Sequence, residues 1–211
     1  MKTIITPLEV IRNSPLRNDF PANELLQAIH RYEKIFFVDC FKELYQSMID
    51  DIIDYDYVCY DKSTVYGINE IVLYNGILYQ SLENNNSTVP KQGVKWIEPS
   101  KFQDSELENI WHEALKYILS YNVVLRVITH ITMQAGSKGL VVFTEDESNI
   151  KGASNKDIIE FKRELNFGIN EYLIIFNNLV MDSNSHIFAV CKTSCVKTNI
   201  NINVNRRLMI R

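Results

Sequence analysis

Apolar residues at Leu25, Ile29, Tyr32, Phe36, Cys40, Leu44, Met48 and Ile52 recur every three or four positions, the period of a helix with one buried face. They predict one long helix, or two in near-continuous succession. Asp19 can cap its start, with Pro21 tolerated in the first turn. Asp50, Asp51, Asp54 and Asp56 oppose the helix dipole at its end, so the helix should stop near Asp54. A second stripe runs through Leu107, Ile110, Trp111, Ala114, Leu115, Ile118, Leu125 and Ile128, behind a cap at Asp104 or Ser105, and ends near Met133. A third begins after Ser154 and carries Ile158, Phe161, Leu165, Ile169, Tyr172, Phe176 and Leu179 to about Met181, with Gly168 as an internal weak point.

Between the first two helices the period changes. Ile71–Tyr74 and Ile77–Gln80 flank Asn75-Gly76, the pair preferred in a two-residue hairpin turn because both positions need positive φ. The region from Tyr55 to Phe102 therefore reads as a small β insert with an exposed polar loop, too poor in apolar residues to stand as a domain. A later loop, Gln134 to Asn155, holds the apolar run Leu140-Val141-Val142-Phe143 among glycines, serines and charges. In the tail, Ile200, Ile202 and Val204 alternate with asparagines, the period of a half-buried strand. The expected fold is mainly α: a bundle of three long helices, with a β-hairpin insert at about 55–102 in a domain spanning 1–182. Residues 183–211 form a C-terminal β-hairpin or arm.

The chain has 211 residues, 46% of them hydrophobic, which suffices for a real core. A net charge of -4 argues against general attraction to nucleic-acid phosphates, and no stretch has the apolar length of a membrane span or signal peptide. Cys191 and Cys195 stand alone at their spacing, and with Cys40 and Cys59 they read as reduced thiols in an unexported protein. His112 and His130 share a helix but lie about five turns apart at ~3.6 residues per turn, too far for a common metal. The Asp50–Asp56 cluster lacks the glycine and terminal glutamate of a calcium loop. No phosphate-binding, zinc-hydrolase or nucleophile motif is present, so neither a catalytic residue, a cofactor nor a metal is expected, and the chain reads as a non-enzyme.

Two resemblances follow. Tyr74-Asn75-Gly76-Ile77-Leu78-Tyr79, Thr88-Val89-Pro90 and Gly93-Val94-Lys95-Trp96 superficially resemble the aromatic pattern of small chitin-type carbohydrate-binding modules. That likeness would place Tyr74, Tyr79 and Trp96 on a sugar face, whereas the plainer alternative has the aromatic residues pack the hairpin onto the helices below it.

The order of elements from Leu8 to Met181 resembles the helical adaptor proteins that follow the portal in tailed bacteriophages, particularly crAss-like phages. It does so through Ile29-His30-Arg31-Tyr32-Glu33 to Leu44-Tyr45, the helix Trp111 to Met133, the element Gly139-Leu140-Val141, and the helix Ile158 to Met181. The resemblance implies a structural virion protein at the head-tail junction, assembled in the host cytoplasm. It would form a closed, dodecameric homo-oligomeric ring that extends the DNA channel without sequence-specific binding. Its partners would be the portal protein and neighbouring connector or tail proteins, with no membrane involved. Gly139, Leu140, Val141, Val142 and Phe143, with Ile200, Ile202 and Val204 of the tail, are the expected contacts between subunits, since an apolar run and an alternating tail need partners to bury them.

Overall fold

A computed structural model of the chain describes residues 3–16, 20, 22–40, 42–91, 93–134, 141–143, 150–152 and 155–183. The chain divides into two compact units, one built from residues 1–50 and 104–211, the other from Asp51–Gln103.

The first unit is helical. α1 (Pro7–Arg12) starts from a reciprocal cap, in which the Thr6 hydroxyl accepts from the Glu9 amide and the Glu9 carboxylate accepts from the Thr6 amide at 2.8 Å. α2 (Ala22–Cys40) and α3 (Lys42–Asp51) occupy the first predicted stripe. α4 (Ser105–Ile110) is capped by Asp104, whose carboxylate accepts from the amides of Glu106 and Leu107. It runs through a π-helical segment, Trp111–Leu115, into α5 (Lys116–Gln134). α6 (Asn155–Asp182) is the longest element, with 28 residues. α5 lies at the centre, packed against α1, α2 and α6. It therefore buries a wide arc, Ile118, Leu119, Val123, Val124, Val127 and Ile128, where a surface helix would bury a narrow stripe. Gly168 lies where α6 meets the Tyr121 ring of α5. The strands β5 (Val141–Phe143) and β6 (Ile150–Gly152) pair antiparallel between α5 and α6.

The second unit is a four-stranded mixed sheet in the order β1 (Val58–Cys59), β2 (Ile71–Tyr74), β3 (Ile77–Ser81), β4 (Trp96–Ile97). β1 and β2 run parallel and the other neighbours antiparallel. The β2–β3 turn has φ of 51° at Asn75 and 79° at Gly76, the left-handed conformation that the pair adopts with least strain. The chain enters and leaves this unit side by side: the Ile53 amide donates to Lys101 O, the Gln103 amide donates to Asp51 O, and Ile52 bridges Phe102.

The fold is thus a mixture of α and β, which corrects the expectation of three long helices with a hairpin insert. Periodicity registers long stripes. It passes over a six-residue helix such as α1 and strands of two residues such as β1 and β4. The insert is also more than a hairpin, because Tyr66, Val72, Tyr79 and Trp96 form a buried core of their own with Tyr60, Tyr74 and Ile77 packed around it. Apart from Ser183, the predicted C-terminal extension lies outside the described residues.

Candidate functional site

The aromatic residues of the sheet unit converge. Tyr60 stacks on Tyr66 at 5.7 Å between centroids and meets Tyr74 edge-on at 5.2 Å, while Tyr66 meets Trp96 edge-on at 5.8 Å. These are the offset and T-shaped geometries that ring quadrupoles favour. Trp96 is 1% exposed, and its indole N–H donates to the Thr88 carbonyl and hydroxyl. Asn86, fully buried beside it, is completely satisfied. Its amide donates to Ser81 Oγ and Lys95 O, and its carbonyl accepts from the amide and hydroxyl of Thr88. A buried asparagine with every group paired pins the loop that closes over the rings.

The sugar-stacking set is accordingly not a platform. Tyr79 and Trp96 are buried in one core and Tyr74 is half-buried against it, so the three rings are not laid out on an open face. The hydroxyl of Tyr60 is buried without a hydrogen-bond partner. Burial, followed by the phenols of Tyr66 and Tyr74 and the charge of Asp61, pushes its pKa up and keeps it protonated. Outside the cluster, several aliphatic side chains stand exposed among the polar residues of the unit's surface: Val58 is 58% exposed, Val65 56%, Ile68 50% and Val94 93%.

Among the described residues, the helical unit holds one buried carboxylate. Glu33 of α2 is 1% exposed, and its Oε1 accepts from the amides of Ile4 and Ile5 at 2.8 and 2.9 Å. Its Oε2 accepts from the Tyr45 hydroxyl at 3.3 Å. This carboxylate fastens the amino-terminal segment, whose Ile4 and Ile5 side chains are fully buried. Burial first, then the charge of Glu33 and the hydrogen bond to it, push the Tyr45 phenol up to about 12. Glu33 was legible as an anomaly, a charge four residues after Ile29 on the apolar face of its helix.

The remaining polar candidates stay apart. His112 bonds Glu108 through Nε2 and Lys116 through Nδ1, an exposed ladder along one helix face. An ammonium can only donate to Nδ1, so the Nε2–H donates to Glu108. Asp50 accepts from Gln46 within its own helix. Among the described residues, no three His, Cys, Asp or Glu side chains are grouped to hold a metal ion, and no helix is long and apolar enough to cross a membrane.

Of the expected subunit contacts, Val141, Val142 and Phe143 form β5, in register with Gly152, Lys151 and Ile150. Gly139, Leu140, Ile200, Ile202 and Val204 lie outside the described residues. The exposed apolar residues of the sheet unit and of α6, where Ile159 and Phe167 are 67% and 65% exposed, were not anticipated as contacts. Phe167 falls off the predicted stripe, which was the available signal.

Comparison with known protein families, curated proteins and solved structures finds no match to this chain.

Proposed function

We propose that this chain is a structural subunit of a tailed-phage head-to-tail connector, a non-enzymatic protein that joins a dodecameric ring between portal and tail. The observation that carries the proposal is the character of the sheet unit. It keeps Tyr66, Tyr79, Trp96 and the side chain of Asn86 inside, and presents Val58, Val65, Ile68 and Val94 at its surface. Exposed apolar residues on a rigid scaffold suit docking to protein. The mild net negative charge suits a channel through which DNA slides without sticking. In the ring, β5 supplies part of the contact between neighbours, and the sheet unit is the platform for the next tail component.

The test is quantitative mass spectrometry of purified particles from a producing host, paired with immunogold labelling by antibodies to this chain. A dodecameric copy number and label at the head-tail junction are expected. A chain found only in the soluble lysate, absent from washed particles, overturns the proposal.

A further inference from the structure

We infer that the free protein pairs with a second copy of itself, antiparallel, along the exposed face of α6. Ile159, Phe167, Ile174 and Met181 are 67%, 65%, 63% and 51% exposed. Arg163, Asn170 and Asn178, also exposed, fall between them. The seven positions follow at intervals of four, four, three, four, four and three, close to the helical repeat of ~3.6, so they form one seam almost parallel to the helix axis. That seam is about 33 Å long at ~1.5 Å per residue. The opposite side of α6, with Leu165, Ile169, Phe176 and Val180, is already buried in the helical unit. The helix therefore carries two apolar faces, and only one of them is buried among the described residues.

The occupant is specified by the order of residues along the seam. Reversed about Asn170, the pattern reproduces itself. Ile159 falls opposite Met181, Phe167 opposite Ile174, Arg163 opposite Asn178, and Asn170 opposite its own copy on the twofold axis. Each apolar residue then meets an apolar one, each polar residue a polar one, and the only charge in the seam avoids its own copy. A parallel arrangement would place Arg163 against Arg163, a like-charge contact that destabilises. At these exposures, four large side chains offer on the order of 500 Å² per copy, or roughly 1,000 Å² in total, the lower bound for a specific interface. A twofold contact uses the same patch on both partners and closes at two copies, so it is distinct from the head-to-tail contact of a ring. The inference concerns the subunit before assembly and stands independently of the connector proposal.

Sedimentation equilibrium of the purified full chain tests it, with helical circular dichroism as the check on folding. The native protein should sediment at twice the 24.6 kDa chain mass at tens of micromolar. Phe167→Asp should remain folded and shift to the monomer, and Ile174→Ser serves the same purpose if the aspartate variant does not fold. Asn178→Asp separates the two orientations. In the antiparallel pair it faces Arg163 of the other copy and should tighten the dimer several-fold, whereas in a parallel pair it faces itself and should loosen it. A native monomer at these concentrations overturns the inference, as does an assembly that Phe167→Asp and Ile174→Ser leave unchanged, or a dimer that Asn178→Asp weakens.

Discussion

Replacing Gly168 with alanine should destabilise the protein, and the same replacement should stabilise it once Tyr121 is gone. A Cβ on Gly168 would lie 2.3 Å from Tyr121 Cε2 and 2.8 Å from Cδ2, well inside contact distance. The ring cannot swing away freely, because it meets Tyr172 edge-on at 5.9 Å, and Tyr172 is itself stacked on Tyr117 at 4.5 Å. Overpacking of this kind costs ~1–3 kcal/mol. Against it stands the propensity gain of alanine over glycine inside a helix, ~1 kcal/mol. The net expectation is a loss of about 1 kcal/mol in the native background. In a Tyr121→Ala background the obstruction is absent and the gain of ~1 kcal/mol remains, a coupling of about 2 kcal/mol across the cycle. Urea unfolding followed by helical circular dichroism measures all four variants, with the midpoint read at constant slope. If Gly168→Ala stabilises the native protein as much as it does Tyr121→Ala, the close approach of α6 to α5 at this point is wrong.

Glu33→Ala strands the amides of Ile4 and Ile5 in the interior and should cost roughly 3 kcal/mol, with faster hydrogen exchange at both amides; unchanged exchange there would mean that the carboxylate does not fasten this segment. The Tyr45 phenol, raised to about 12, holds its proton more tightly in the folded state than at its unfolded value of ~10. Its contribution is full below pH ~10 and is lost as pH rises through about 12, so the drop in stability across that window should shrink in Tyr45→Phe. Tyr45 is partly exposed and solvent screening keeps the effect small, so the comparison is of slopes between the two proteins. Trp96→Ala removes a buried aromatic and should cost ~3–5 kcal/mol; a variant that keeps its fold while losing glycan binding would show that the indole is exposed after all.

The parts of this fold legible in the sequence are those whose physics is local. Asn75-Gly76 announces its turn because few other pairs accept two positive φ angles, and the stripes of α5 and α6 announce themselves because a helix longer than four turns must repeat its buried face. The core of the sheet unit is not local. Tyr60, Tyr66, Tyr79 and Trp96 are drawn together from positions with no common period, two of them outside the strands and two on short ones. Thr6 and Glu9 have the spacing of a reciprocal cap, but the helix they begin is too short to show a stripe. Nothing in the residues of Trp111–Leu115 foretells a π-helical segment. The second face of α6 was visible in Phe167 and Ile174, residues that a search for one buried stripe sets aside.

The neck at Asp51 and Gln103, where the chain leaves and returns through adjacent hydrogen bonds, has an evolutionary consequence. To the helices on either side, everything beyond the neck is a loop whose ends are held together, and the entropy of closing a loop grows only logarithmically with its length. The sheet unit is for that reason an exchangeable cassette. A lineage can lengthen it, replace it or reduce it to a tight turn without redesigning the helical scaffold, so descendants of this chain should diverge fastest between these two residues while the helices that bracket them keep their pattern.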